Sequence, residues 1–144
     1  MIQPKSVAEI LGGEEVIGQE VRSELELAEV VRLGLWPAVI DKLFDGALLT
    51  KTDMERLVMP RRTLIHRIKK GERLTREESD RVTRVARIVA MAEETFGNRY
   101  KASRWLHKAK QRFDGQTPIE LLDTEEGARV VEDLLFRIAH GLAA

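Results

Sequence analysis

Apolar residues recur along this chain at intervals of three and four, the period of a helix, and no stretch alternates convincingly enough to make a strand. Val82, Val85, Ala86, Val89, Ala92 and Phe96 fall on one stripe, and Val130, Val131, Leu134, Leu135, Ile138 and Leu142 on another. Stripes of this width face a core, or in part a second subunit. Start signals recur as well. Ser6 to Glu9, Ser23 to Glu26, Thr52 to Glu55 and Thr75 to Glu78 have the capping-box form, a hydroxyl followed three residues later by a carboxylate. Thr117-Pro118 and Thr124-Glu125-Glu126 mark two later starts. Stops are expected at Gly12-Gly13, Gly34, Gly46, Gly71, Gly97, Gly115 and Gly141. Together these predict helices near 5–11, 23–33, 37–45, 51–58, 60–70, 76–96, 99–109, 118–122 and 125–140, with 12–19 as a loop. The expected class is all-α, divided into an N-terminal segment 1–22 that is loosely attached, a unit 23–74 and a unit 75–144.

Composition removes several functions. The 144 residues include no Cys, which excludes a disulfide framework, a thiolate zinc site and a cysteine nucleophile. The longest run without a charged residue is Leu33 to Ile40, far short of the roughly 20 apolar residues of a membrane span. Met1 to Leu11 carries Lys5 and Glu9 and no long apolar stretch, unlike a secretory signal. A soluble, cytoplasmic protein without membrane contact is expected.

Net charge is zero, but it is unevenly spread. Residues 1–50 carry −5, residues 51–76 carry +6, and residues 77–144 carry −1. A short positive window is the footprint expected of nucleic-acid contact, and a whole-chain average hides it. Arg99 to Arg112 adds six basic residues and no acidic one.

Within the positive window, Thr52 to Val58 predicts a short helix, which Met59-Pro60 ends, because the residue before a proline is pushed out of helical geometry. Pro60 then opens a second helix. At about 100° per residue, Leu64, Ile65 and Ile68 form its apolar back, and Arg62, Thr63, His66, Arg67 and Lys70 its polar front, with Arg61 and Lys69 on the flanks. A short helix, a tight turn and a basic-fronted helix is the helix-turn-helix design, whose second helix enters the major groove. Arg62 is the leading base reader, since a guanidinium holds guanine O6 and N7 bidentately. Thr63 and His66 supply further contacts, and Arg61, Lys69 and Lys70 suit phosphates. The plain alternative is a solvated cationic face. Two-fold operators imply at least a homodimer.

Signals for catalysis are absent. His66, His107 and His140 lie far apart without carboxylates at metal-ligand spacing. Glu77-Glu78 and Glu125-Glu126 are adjacent pairs at helix starts, pointing about 100° apart, so they cap rather than form an acid–base pair. No glycine-rich loop follows a strand, and no cofactor is expected.

The last third is more specific. Thr95-Phe96-Gly97, Lys101-Ala102-Ser103-Arg104-Trp105-Leu106, Gly115-Gln116-Thr117-Pro118, Leu121-Leu122, Thr124, Gly127, Leu135 and Ile138-Ala139-His140-Gly141 follow one another with short gaps. From about Ile88 to Gly141 this order resembles the toxin-binding domain of the Xre/MbcA/ParS-type antitoxins. The stretch from about Glu24 to Leu74 resembles the helix-turn-helix domain that precedes it in Xre members. Ala109 to Phe113 departs from the proline or asparagine that often follows the tryptophan helix. The resemblance implies a type II antitoxin whose C-terminal domain binds a cognate RES-domain toxin, an NAD+-depleting enzyme. It also implies that the chain end lies over the toxin active site and that the helix-turn-helix binds operator DNA of the chain's own promoter. On this footing, toxin contact is assigned to Arg129, Glu132, Asp133 and Phe136, which lie off the apolar stripe, and to the tail His140, Gly141, Leu142, Ala143 and Ala144. Ordinary surface and a frayed end are the plain alternatives. A transcription regulator with a C-terminal oligomerisation domain and no toxin is the other functional reading.

Overall fold

The computed structural model describes residues 2–44 and 49–142. In chain order it forms α1 (Pro4–Ile10), α2 (Gly13–Ile17), α3 (Glu24–Leu33), α4 (Ala38–Phe44), α5 (Lys51–Leu57), α6 (Arg61–Lys70), α7 (Arg76–Phe96), α8 (Arg99–Leu106) and α9 (Glu125–Ala139). Two 3₁₀ turns, Gln111–Phe113 and Ile119–Asp123, separate α8 from α9. There is no strand among the described residues, and no helix there is long and apolar enough to cross a membrane. The stop expected at Gly46 and the tail residues Ala143 and Ala144 lie outside the described residues.

α7 organises the fold. Its stripe is wider than the sequence implies: Val82, Val85, Ala86, Val89 and Ala92 are buried, and so are Ile88 and Ala90 on its other sides. A helix buried almost all round must be surrounded, and α7 packs against α1, α3, α8 and α9. Its last ring, Phe96, meets Trp105 of α8 at 5.5 Å between centroids. One continuous apolar cluster runs from Ile2 to Leu135.

That core includes the N-terminus. Val7 and Leu11 are fully buried and α1 lies on α7, while Ile17 and Val21 are nearly so. Ile2, Val7, Leu11, Ile17 and Val21 thus tie the described N-terminal residues to the core. Residues 13–17 form a short helix where a loop is expected, because Gly12 and Gly13 both turn with positive φ and start a new helix at once. The stretch after α6 is equally tied in: the buried Leu74 donates its N–H to the Leu35 carbonyl at 2.7 Å, and Leu35 donates to Ser79 Oγ at 2.8 Å. Gly34 makes this join possible. Its φ is +102°, and a Cβ there would run into the Leu74 carbonyl.

The caps explain most boundaries. Thr75 and Glu78 form the expected capping box of α7, and Thr124 Oγ1 accepts the Gly127 N–H at the start of α9. Ser23 likewise caps α3, accepting the Glu26 N–H at 3.1 Å, but at other starts the cap shifts. α5 is boxed by Thr50 and Asp53 rather than Thr52 and Glu55, and α1 starts at Pro4 with Ser6 already inside it. α8 ends at Leu106, short of 109, and Asn98 caps its start. On α9, Val131, Leu134 and Leu135 are buried, but Val130, and Leu142 beyond the helix end, are exposed, so the inward stripe is narrower than the sequence implies.

Candidate functional site

α5 and α6 form a short helix, a turn and a second helix. Met54 and Leu57 of α5, with Val58 and Met59 of the turn, are buried and anchor the motif. Arg81 of α7 donates to the Val58 carbonyl at 2.9 Å, so the turn is stitched to the central helix. Pro60 precedes α6 with extended geometry, and its side chain lines an open groove with Glu55, Arg61, Arg62 and Thr63.

α6 sits on the core by an unexpected face. No residue of it is fully buried. Leu64 packs on the core, but Ile65 and Ile68 are 40% and 55% exposed instead of forming the back. Arg67 also turns inward. Its Nε donates to Glu78 Oε1 at 3.1 Å, its Nη2 to Glu78 Oε2 at 3.3 Å and its Nη1 to Glu72 Oε2 at 3.3 Å. Arg67 is thus turned away from the outer face on which the sequence placed it, because a nearly buried carboxylate on α7 holds it. Burial pushes the Glu78 carboxyl up, but the Arg67 guanidinium and the Thr75 N–H and hydroxyl together hold it below the usual carboxylate value. Arg61, Arg62, His66, Lys69 and Lys70 remain exposed, and Thr63 is half-buried.

A second site lies on α9. A groove of about 680 Å³ opens between α9, the end of α7 and Ile2. Arg129, Glu132, Asp133, Phe136 and His140 all line it, so five of the residues assigned to toxin contact converge. Glu94 and Glu125 line it too, giving four carboxylates against one guanidinium. Phe136 is 47% exposed and stacks on His140 with centroids 4.1 Å apart, while His140 Nδ1 lies 2.8 Å from the Phe136 carbonyl. Gly141 and Leu142 do not line the groove. They close α9 instead: Gly141 N–H donates to the Ile138 carbonyl, and Leu142 N–H to the Arg137 carbonyl at 2.7 Å.

Sequence reasoning missed one joint between α5 and the end of α8. His107, just after α8, places Nε2 2.8 Å from Asp53 Oδ2 of α5 and Nδ1 2.8 Å from the Ser103 carbonyl. Both ring nitrogens face acceptors, so the imidazolium fits. The Asp53 bond raises the His107 pKa against burial, and the Ser103 carbonyl adds to it. Burial pushes the Asp53 carboxyl up, but His107 and Thr50 outweigh it and leave it below its usual value. The residues are 54 positions apart, and neither belongs to a motif that would have flagged them. Among the described residues, no three His, Asp or Glu side chains gather as metal ligands would.

Comparison with known proteins covers both sites. Residues 26–87 match the family model of the antitoxin Xre-like helix-turn-helix domain, and residues 91–141 that of the antitoxin Xre/MbcA/ParS C-terminal toxin-binding domain. Antitoxin Xre of Pseudomonas putida is 41% identical over 122 residues, 85% of this chain and 76% of that protein. Antitoxin Xre of Yersinia enterocolitica is 33% identical over 81% of this chain and 80% of its own length. Antitoxin Xre of Photorhabdus laumondii is 29% identical over 89% and 88%. With a helix-turn-helix domain followed by a toxin-binding domain, and with relatives matched over most of both chains, this protein belongs to the Xre-type antitoxin family.

Proposed function

We propose that this protein neutralises a cognate RES-domain, NAD+-depleting toxin by seating it on the α9 groove with the chain end in its active site, and that it represses its own operon in the cytoplasm through α6. The protein acts by occupancy and not by turnover. The observation that carries the toxin half is the convergence of Arg129, Glu132, Asp133, Phe136 and His140 on one groove. Phe136 is an aromatic anchor of the kind that dominates interfaces. The surplus of carboxylates suits a partner with cations around its active site, as an enzyme binding the pyrophosphate of NAD+ needs. For the DNA half, Arg61, Arg62, His66 and Lys69 are exposed along α6, the helix that follows the turn. One such helix reads one half-site, so a homodimer binds a palindromic operator.

The test is co-expression with the product of the adjacent gene. The wild-type chain should protect growth and co-purify with that product. Phe136→Ala, and separately deletion of Gly141–Ala144, should weaken protection while leaving promoter binding intact. Full protection by both variants would reject the assignment of the groove and tail.

A further inference from the structure

Ile65 is out of place for a residue that only fills space. Its neighbours three and four positions away on the helix are Arg62 and Lys69, and His66 follows it; all three are exposed. Leu64, one position earlier, meets the core, whereas Ile65 does not and keeps 40% of its surface open. The tilt imposed by Leu64 and the Arg67–Glu78 pair is what rotates Ile65 out. An aliphatic side chain thus stands within the cationic face, on the second turn of α6.

We infer that Ile65 is a specificity residue that contacts the C5 methyl of a thymine in the major groove; this rests on reading α6 as the duplex-binding helix. Four kinds of base edge line that groove, and the thymine methyl is their one apolar feature. Isoleucine offers no hydrogen bond. Pressed against the edge of guanine or cytosine, it would strip water from donors and acceptors and leave them unpaired. Against a thymine it buries a methyl on a methyl. The same side chain therefore favours one base and disfavours the others, and it complements the polar reading assigned to Arg62. Ile68 is more exposed but lies one turn further from the N-terminal end, whose residues reach base edges, and is rotated about 60° from Ile65 toward the flank. It serves as an internal control.

The experiment uses the full chain and a duplex that it enriches from a randomised pool. Each thymine is replaced in turn by deoxyuridine, which lacks only the C5 methyl. For the wild-type chain, one thymine per half-site should show about a fourfold loss of affinity, the worth of one buried methyl. In Ile65→Ala that loss should vanish, while in Ile68→Ala it should persist. Circular dichroism and thermal melting should show both variants folded, as alanine at an exposed helix position costs nothing in propensity. A methyl dependence equal in wild type and Ile65→Ala, or none at any thymine, would overturn the role of Ile65 alone. Failure of the wild-type chain to enrich any sequence or to bind duplex in a salt-sensitive way would overturn the reading of α6 itself, and this inference with it.

Discussion

Arg67 and Glu78 hold each other through two parallel contacts, 3.1 and 3.3 Å, across the gap between α6 and α7. Glu78 also takes the Thr75 N–H at 2.8 Å, so one carboxylate both caps the central helix and sets the tilt of the basic one. Arg67→Ala would strand this carboxylate, of which only 9% is exposed. The expected loss is about 2–3 kcal/mol, below the full cost for a buried pair because the guanidinium is partly solvated. Arg67→Lys should not rescue it, since an ammonium cannot make the fork. DNA affinity should fall in Arg67→Ala with the salt slope unchanged. Lys69→Ala should do the reverse, keeping stability and lowering the slope by about 0.9. Denaturant melts and binding titrations across salt concentrations check both.

Arg62 stands exposed near the start of α6, beside the groove it shares with Glu55, Pro60 and Arg61. Arg62→Ala should cost about 1–3 kcal/mol on the preferred sequence and little on random DNA, so that discrimination narrows. Competition binding at fixed salt measures it. An equal loss on both DNAs would make Arg62 a phosphate contact.

The Asp53–His107 joint titrates. His107 has its pKa raised, so its contribution is complete below about 6.5, the value in the unfolded chain, and disappears as pH rises through the raised value. Asp53 has its pKa lowered, so its contribution holds above about 3.9 and disappears as pH falls through the lowered value. Between these limits the pair is charged, and His107→Ala should cost about 1–2 kcal/mol, discounted because the ring is partly exposed. The difference between wild type and His107→Ala should shrink as pH is raised through the His107 titration. Denaturant unfolding across a pH series is the check, and a difference independent of pH would contradict the joint.

Gly127 sits in the first turn of α9, where a Cβ would run into the Leu121 carbonyl. Gly127→Ala should destabilise the chain by about 1–3 kcal/mol, although alanine ordinarily favours helices. A stabilised variant in thermal melts would show that the turn at 119–123 can move aside.

Helix positions and several starts are legible in the chain because caps and apolar period are local. Thr75 and Glu78 are an example. Thr50 and Asp53 show the limit: the same hydroxyl and acid spacing occurs again at Thr52 and Glu55, and local chemistry does not choose between them. The face of α6 is harder still. Leu64, Ile65 and Ile68 read as its back, but Arg67 takes part of that place through a partner eleven residues away. His107 is invisible for the same reason, its meaning residing in Asp53 on another helix. On α9, by contrast, residues chosen for lying off the apolar stripe do gather on one groove, since a single helix keeps its own angular order.

α7 is one unbroken rod of 21 residues, about 30 Å long, and the two matched family spans meet inside it, between 87 and 91. It carries Glu78 near one end and Met91, Glu94 and Thr95 at the other. Between 87 and 91 the helix is continuous, so the two family spans share it. A fragment cut at that junction would bare Val85, Val89 and Ala92 to water, so neither half can be transplanted as a tidy module without the shaft they share.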